Sequence, residues 1–235
     1  MSAFPGFGPD CLPFFRALAF HQTREWMEEN KGIYEREVKQ PMALLLDDLT
    51  ARFAAQDVPL KGDARRSTFR LARDVRFSKD KSLYKTQAGA VMTRTGTKNE
   101  QGLLYIHIAP DGCFVAAGFY HPEPVQLAEL RRDIVARAGV FRALDLRFDG
   151  EDASTRNPRG YETVGDPVLA QALRQRSLVQ RESLADLLIH TPALADVIAG
   201  FARKNLPFLD FGWNAIDRLP PAPKRNPRAR LRTRD

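Results

Sequence analysis

Between Arg65 and Thr86 the chain reads RRSTFRLARDVRFSKDKSLYKT, with eight cations against two anions, a net +6 in 22 residues. Phe69, Leu71, Val75, Phe77 and Tyr84 are threaded through those charges. A solvated charge run does not also carry large apolar side chains, so this segment must be partly buried while it presents guanidinium groups. Phe69, Leu71, Arg73, Val75 and Phe77 share one parity; Arg70, Ala72, Asp74, Arg76 and Ser78 share the other. That alternation predicts a strand. Arg73 breaks the apolar parity and predicts a bulge or a change of strand near Arg73–Asp74. The run SKDKS after Phe77 has no periodicity and predicts a surface loop.

Two readings of this stretch stand side by side. In one it is an edge strand protected by charge, with Asp74 and Asp80 in local ion pairs. In the other it is an anion site, because the planar donor fork of arginine suits phosphate or carboxylate. The second reading makes Arg70, Arg73, Asp74, Arg76, Lys79, Lys81 and Lys85 ligand-binding residues, together with Tyr105 further along the chain.

The string RDVRFSKDKSLYKT, with TREWMEENKGIY upstream and Gly102, His107, Pro110 and Gly118 downstream, resembles a bacterial and fungal family catalogued as domain of unknown function 2461. The resemblance runs from about Phe4 to Phe211. This chain has His21 and Gln22 where the family usually has an Asn pair, Leu83 where it usually has Pro, and Met27 in place of the aromatic after Trp26. No activity is established for that family, so the resemblance implies a shared fold and no catalytic residue.

With 235 residues and 43% hydrophobic content, the chain can bury one sizeable core, and residues 1–217 are expected to form a single domain. MSAFPGFGPD lacks the basic start and apolar run of a signal peptide, and no stretch approaches the roughly 20 apolar residues of a membrane span. Cys11 and Cys113 lie far apart without metal-type spacing, which favours reduced thiols over a disulfide. A cytoplasmic protein without membrane contact is the expectation. The net charge of +7 invites a nucleic-acid reading, but residues 218–235 hold seven cations against Asp235, a net +6 that leaves +1 for the body. That Pro/Arg-rich tail reads as disordered and offers nucleic acid a contact.

Asp10 and Thr23 are expected to cap helices starting at Cys11 and Arg24, the second running through TREWMEENKGIYEREVKQ. Pro41 opens a third helix on Met42, Leu45, Leu49 and Phe53. QAGAVMTR, LLYIHIA and CFVAAGFY read as strands. Pro-Asp-Gly between the last two predicts a three-residue hairpin loop, which sets Ala109 opposite Cys113, Ile106 opposite Ala116 and Leu104 opposite Gly118. It also sets His107 opposite Val115 and Tyr105 opposite Ala117, two polar tips across from smaller residues, which leaves room for a pocket. Helices follow at Pro124–Ala138, Asp166–Gln175 and Pro192–Lys204, with short strands at Asp145–Phe148 and Leu178–Arg181. The pattern is α+β: an antiparallel sheet built around residues 66–120, covered by the N-terminal and later helices.

His21, His107, His121 and His190 show no paired ligand spacing, so neither a metal nor another cofactor is indicated. GxGxxG, P-loop and Gly-x-Ser-x-Gly patterns are absent. His107 is either a hydrogen-bonded core residue or an acid/base group, the latter because it shares a face with Tyr105 near the basic strand. Three function classes follow. One is an anion- or phosphate-binding protein associated with nucleic acid. Another is a metal-independent enzyme acting on a small phosphorylated or carboxylated substrate. In the last, the charges are fold-specifying ion pairs. Arg73, Arg76 and His107 are expected to converge on one anion-sized pocket.

The tail and the body are separable by salt titration. Six Arg or Lys between residues 224 and 234 allow about six phosphate contacts, each adding roughly 0.9 to the salt slope on duplex DNA. Cutting after Asp217 is expected to remove most sequence-blind nucleic-acid affinity and leave the fold intact. Arg73→Ala or Arg76→Ala is expected to leave that affinity nearly unchanged while destabilising the body or abolishing small-anion binding. Tight binding by the truncated body that collapses on Arg76→Ala would reverse the assignment.

Overall fold

The hairpin expected at Pro-Asp-Gly forms the centre of the sheet. The computed structural model describes residues 4–74, 76, 80–148, 150 and 152–220. In it β1 (Ala88–Met92), β2 (Leu103–Ile108), β3 (Cys113–Phe119) and β4 (Leu178–Leu184) make one antiparallel sheet in that order. Helices before and after the strands complete an α+β fold.

The hairpin closes one residue away from the expected register. Leu104 pairs with Ala117, Tyr105 with Ala116, Ile106 with Val115 and His107 with Phe114. The loop is therefore Ala109–Gly112 rather than the three residues Pro110–Gly112. Its turn is closed by the Gly112 N–H on the Ala109 carbonyl at 3.2 Å, with Gly112 at φ +142°. Because strand side chains alternate, this slip exchanges which face of β3 accompanies which face of β2. Leu104, Ile106 and Ile108 share the helix-covered face with Cys113, Val115, Ala117 and Phe119, all buried. Tyr105 and His107 share the other face with Phe114, Ala116 and Gly118.

Helix α1 (Cys11–Phe20) buries Leu12, Phe15 and Leu18, although the Asp10 side chain makes no cap bond. Thr23 does cap α2 (Arg24–Glu29), accepting the Trp26 N–H at 3.2 Å, and the Trp26 ring stacks on His21 at 5.4 Å. The single helix expected from Thr23 to Gln40 is instead broken. Asn30 turns its side chain back onto the Trp26 carbonyl at 2.9 Å and ends α2. Then α3 (Lys31–Tyr34) passes into a π-helical turn, Glu35–Lys39, before α4 (Gln40–Ala55). Pro41 supplies the reason: it has no N–H for the Glu37 carbonyl, so the regular ladder cannot continue there. That carbonyl accepts the Gly8 N–H at 3.3 Å instead.

Later helices follow their caps. Glu123 and Gln126 form a reciprocal capping box at α5 (Pro124–Ala136). After α6 (Ala138–Ala143), Asp166 accepts the Val168 and Leu169 N–H groups at 3.0 Å and starts α7 (Pro167–Arg174). Asp145–Phe148 is not a strand; Phe148 is held instead by its buried ring and by Gln171 on its carbonyl at 3.1 Å. Beyond α8 (Asp186–Ile189), α9 (Ala193–Ile216) continues well past the expected end at Lys204. Pro207 sits inside it, a defect of about 3 kcal/mol. Burial of Phe208, Leu209, Phe211 and Trp213 outweighs that cost, at roughly 1.5–3 kcal/mol per large side chain. Phe208 meets Phe119 of β3 edge to face at 5.7 Å. Trp213 donates its indole N–H to the Gln101 carbonyl at 3.1 Å under the Arg94 guanidinium. Gly102 permits that approach, since a β-carbon there would lie 2.0 Å from the indole nitrogen.

Among its described residues the basic stretch is not a continuous strand. Thr68 bridges Ala90 on the outer edge of β1, and Ala72 bridges Tyr84, both as isolated pairs. Arg73 N–H on the Leu83 carbonyl and Lys85 N–H on the Leu71 carbonyl, each at 2.8 Å, bring residues 71–73 against residues 83–85. Arg73 interrupts the apolar parity where the expected strand would continue, and the isolated pairs on either side replace a ladder. Val75, Phe77, Ser78 and Lys79 lie outside the described residues, as does the tail from Pro221. Gln22 pins the returning arm, accepting the Tyr84 N–H at 2.8 Å while donating to the Leu18 carbonyl at 2.8 Å. Arg218, first residue of the expected tail, pairs with buried Asp133, which also holds Arg137 at 2.5 Å. A truncation that spares this pairing therefore falls after Pro220.

Gly118 sits at φ +145°, and a β-carbon there would lie 2.1 Å from the Leu178 carbonyl oxygen. Gly118→Ala is expected to destabilise the fold by about 3 kcal/mol or more, read as a lowered urea midpoint. Gly139, in α6 with open space around it, serves as the contrast. Gly139→Ala is expected to stabilise by about 0.5–1 kcal/mol.

Candidate functional site

The sheet face away from the helices is lined by small residues: Gly89 and Val91 on β1, Ala116 and Gly118 on β3, Val179 on β4. Over these positions lies a cavity of about 830 Å³. Phe69 and Lys85 of the basic segment, Lys98 and Gln101 of the β1–β2 loop, and Phe148 and Asp152 beyond α6 close its sides. Its size falls in the range of roughly 300–1,000 Å³ typical of small-molecule sites.

Tyr105 and His107 rise from β2 into this space. Their side chains share a hydrogen bond, Tyr105 Oη to His107 Nδ1 at 3.0 Å. His107 stacks on Phe114, its direct cross-strand neighbour, at 4.4 Å between centroids. Arg181, one strand further, lays its guanidinium 3.7 Å from the Phe114 ring centroid. Burial pushes the His107 imidazole below its ordinary range; nearby Asp111 opposes the shift and Arg181 adds to it. Burial also pushes the Tyr105 hydroxyl up, with Gln87 pulling the other way. Both groups are therefore neutral near pH 7, and one proton is shared between them. With Tyr105 donating to Nδ1, the other imidazole nitrogen, Nε2, carries the remaining proton.

The cationic residues divide into two sets. Arg76 grips Asp74 with two bonds, Nε to Oδ1 at 2.9 Å and Nη2 to Oδ2 at 2.7 Å. Those bonds, with the Arg76 backbone N–H, hold the exposed Asp74 carboxyl down to about 2. Arg73 donates to the Tyr84 carbonyl at 3.2 Å and pairs with Asp80 at 3.2 Å. Neither Arg73 nor Arg76 lines the His107 cavity, so the expected convergence of Arg73, Arg76 and His107 is not the arrangement found. Both arginines fold back onto carboxylates and carbonyls of their own loop. Lys81 is exposed on that loop, and Lys79 lies outside the described residues.

Lys85 belongs to the second set. It lines the cavity, and its ammonium lies 5.4 Å from the Phe69 centroid. Burial, and then Arg73, Lys98 and Arg70, lower its pKa. Among the described residues no carboxylate pairs with it. Of the residues proposed from sequence, the cavity brings together Lys85, Tyr105 and His107; Arg70 lines an adjoining cavity beyond Phe69. Phe69, Lys98, Phe114 and Arg181 were not singled out as site residues. For Arg181 a signal existed: Val179, Arg181 and Ser183 share one parity of β4. For Lys98, within a turn-rich loop, none did.

Among the described residues no three His, Cys, Asp or Glu side chains gather as a metal ion would require, and no helix is long and apolar enough to cross a membrane. The family model described as conserved hypothetical protein (DUF2461) matches residues 10–211. The chain belongs to that family. No curated protein and no solved structure matches it. The DUF2461 match covers all four strands and the whole lining of the cavity, and ends inside α9.

Unfolding returns His107 to its ordinary value of about 6.5. Between that value and the lower one of the folded state, the unfolded chain binds the extra proton. Stability therefore rises with pH across this window, is fully present above about 6.5 and is lost as the pH falls toward the folded value. The His107 imidazole proton resonances are expected to titrate below about 6.5, and His107→Gln to flatten this part of the stability profile.

Proposed function

We propose that the protein binds a small organic anion, phosphate- or carboxylate-bearing, in the cavity on the open face of the sheet. The observation that carries this reading is Lys85: a half-buried ammonium without a carboxylate partner among the described residues, on the wall of an 830 Å³ cavity. Its electrostatic neighbours are Arg73, Lys98 and Arg70. An anion entering there relieves like-charge repulsion and gains charge-assisted hydrogen bonds. Phe69, Phe114 and Tyr105 supply aromatic wall for the rest of the ligand. A nucleic-acid surface on the body is less well supported, since a concave cavity does not follow a duplex backbone and Arg73 and Arg76 already hold carboxylates.

The Tyr105–His107 pair favours a second reading, catalysis on that anion. A neutral imidazole bonded to a neutral phenol can accept a proton at one atom while another is donated, which suits acid/base work near neutral pH. Lys85 and Arg181 would hold the anion, and His107 would act at the adjacent carbon or oxygen.

A thermal-shift panel of aryl phosphates and aryl carboxylates tests binding. At least one is expected to stabilise the wild-type protein at millimolar concentration. Lys85→Met is expected to weaken that ligand about 10- to 100-fold, the loss of one charge-assisted bond. Absence of stabilisation, or equal stabilisation of Lys85→Met, overturns the reading. For catalysis, His107→Gln is expected to retain binding and lose turnover.

A further inference from the structure

A second cavity of about 500 Å³ lies behind Phe69. The π-helical turn and its flanks form one wall with Tyr34, Val38 and Met42; Arg65 and Arg70 of the basic segment stand on the other. Lys39 and Lys98 also line it, and no acidic side chain does. Lys39 is paired with Glu35 at 2.8 Å and Lys98 donates to the Thr68 carbonyl, whereas among the described residues Arg65 and Arg70 make no salt bridge, Arg70 lying only near enough to Asp74 to help hold that carboxyl down. The first cavity differs: its lining includes Glu100 and Asp152. An anionic group is therefore better placed in the second cavity than in the far part of the first.

Phe69, Gln87, Gly89 and Lys98 line both cavities and form the wall between them. Phe69 is 39% exposed, unusual for a phenylalanine inside a folded segment. No core holds it. The ammonium groups of Lys85 and Lys98 lie 5.4 and 5.5 Å from its centroid, and it meets Tyr105 edge to face at 6.1 Å. Gly89 lies at the same wall. A β-carbon there would come within 2.9 Å of the Tyr105 hydroxyl and 3.3 Å of the Phe69 ring. Between Gln87 and Lys98 the wall is thus one aromatic ring and one residue without a side chain.

We propose that the two cavities are chambers of one site, and that its ligand is an extended polyanion of the organic diphosphate class. This rests on the anion-binding reading of the first cavity. One anionic group sits on Lys85 at the threshold, a second passes Phe69 to Arg70, Arg65 and Lys98, and the organic body occupies the first chamber beside Tyr105 and His107. The π-helical turn has a role in this arrangement: it helps set the Tyr34, Val38 and Met42 wall that widens the second chamber.

Calorimetric titration of the full chain with inorganic phosphate and inorganic pyrophosphate tests the proposal. Pyrophosphate is expected to bind about 10-fold tighter than phosphate or better, since it gains a second set of charged contacts. Arg70→Ala, an exposed site that leaves the core untouched, is expected to remove this advantage while changing phosphate affinity by less than about 2-fold, whereas Lys85→Met weakens both anions. Gly89→Val is expected to abolish the advantage with no change of charge. Equal affinity of wild type for the two anions, or an Arg70→Ala effect that is absent or the same on both, overturns the two-chamber site. If aryl phosphates still bind in a Lys85-dependent manner, the first-cavity reading survives that outcome. Failure of every anion to bind overturns both.

Discussion

Side-chain parity along β2 is the constraint on which the rest of the structure depends. Leu104, Ile106 and Ile108 point at the helices and are fully buried, while Tyr105 and His107, between them, point the other way. One backbone register therefore sets both the core and the site, and neither can be shifted without the other. β3 completes the arrangement with size: Ala116 and Gly118 leave volume above the sheet, and Phe114 supplies the ring on which His107 rests. Gly118, without a side chain, lets β4 approach closely enough to bring Arg181 over that same ring.

Much of this was legible in the sequence. The alternation in LLYIHIA and CFVAAGFY marked two strands, and Pro-Asp-Gly marked their connection. Tyr105 and His107 were legible as a polar pair on an otherwise apolar face with room across from it. The register was not, because a turn starting at Ala109 and one starting at Pro110 differ by a single residue that composition does not weigh. The break in the second helix was also hidden. Pro41 reads as a good first-turn residue, but its missing N–H is met by a π-helical turn and by the Gly8 N–H on the Glu37 carbonyl, a contact across 29 residues that no local pattern reports. The extension of α9 through Pro207 was hidden for a related reason, since tertiary burial of Phe208 and Trp213 overrides a local rule.

The basic stretch shows why charge density alone did not locate the site. Asp74 with Arg76, and Asp80 with Arg73, form ion pairs on its outer loop at positions where water and salt screen them. Lys85, at the end of the same run, is drawn under Phe69 by the backbone bond of its N–H to the Leu71 carbonyl and so joins the cavity instead. Two kinds of charge that look alike in one dimension are sorted in three by which of them has a carboxylate within reach. Arg181, far away in sequence, and Lys98, in the loop after the next strand, join Lys85 because β4 and the β1–β2 loop border the same face.

Placement of the indoles has a spectroscopic consequence. The chain has two tryptophans, Trp26 stacked on His21 and Trp213 packed beneath Arg94, and neither lines either cavity. Their fluorescence reports on the corner between α1 and α2 and on the closure of α9 against the strand ends. Emission is therefore a gauge of tertiary integrity that stays dark to direct contact with an occupant of the cavity. A variant that keeps wild-type emission while losing its ligand has lost a contact and kept its fold.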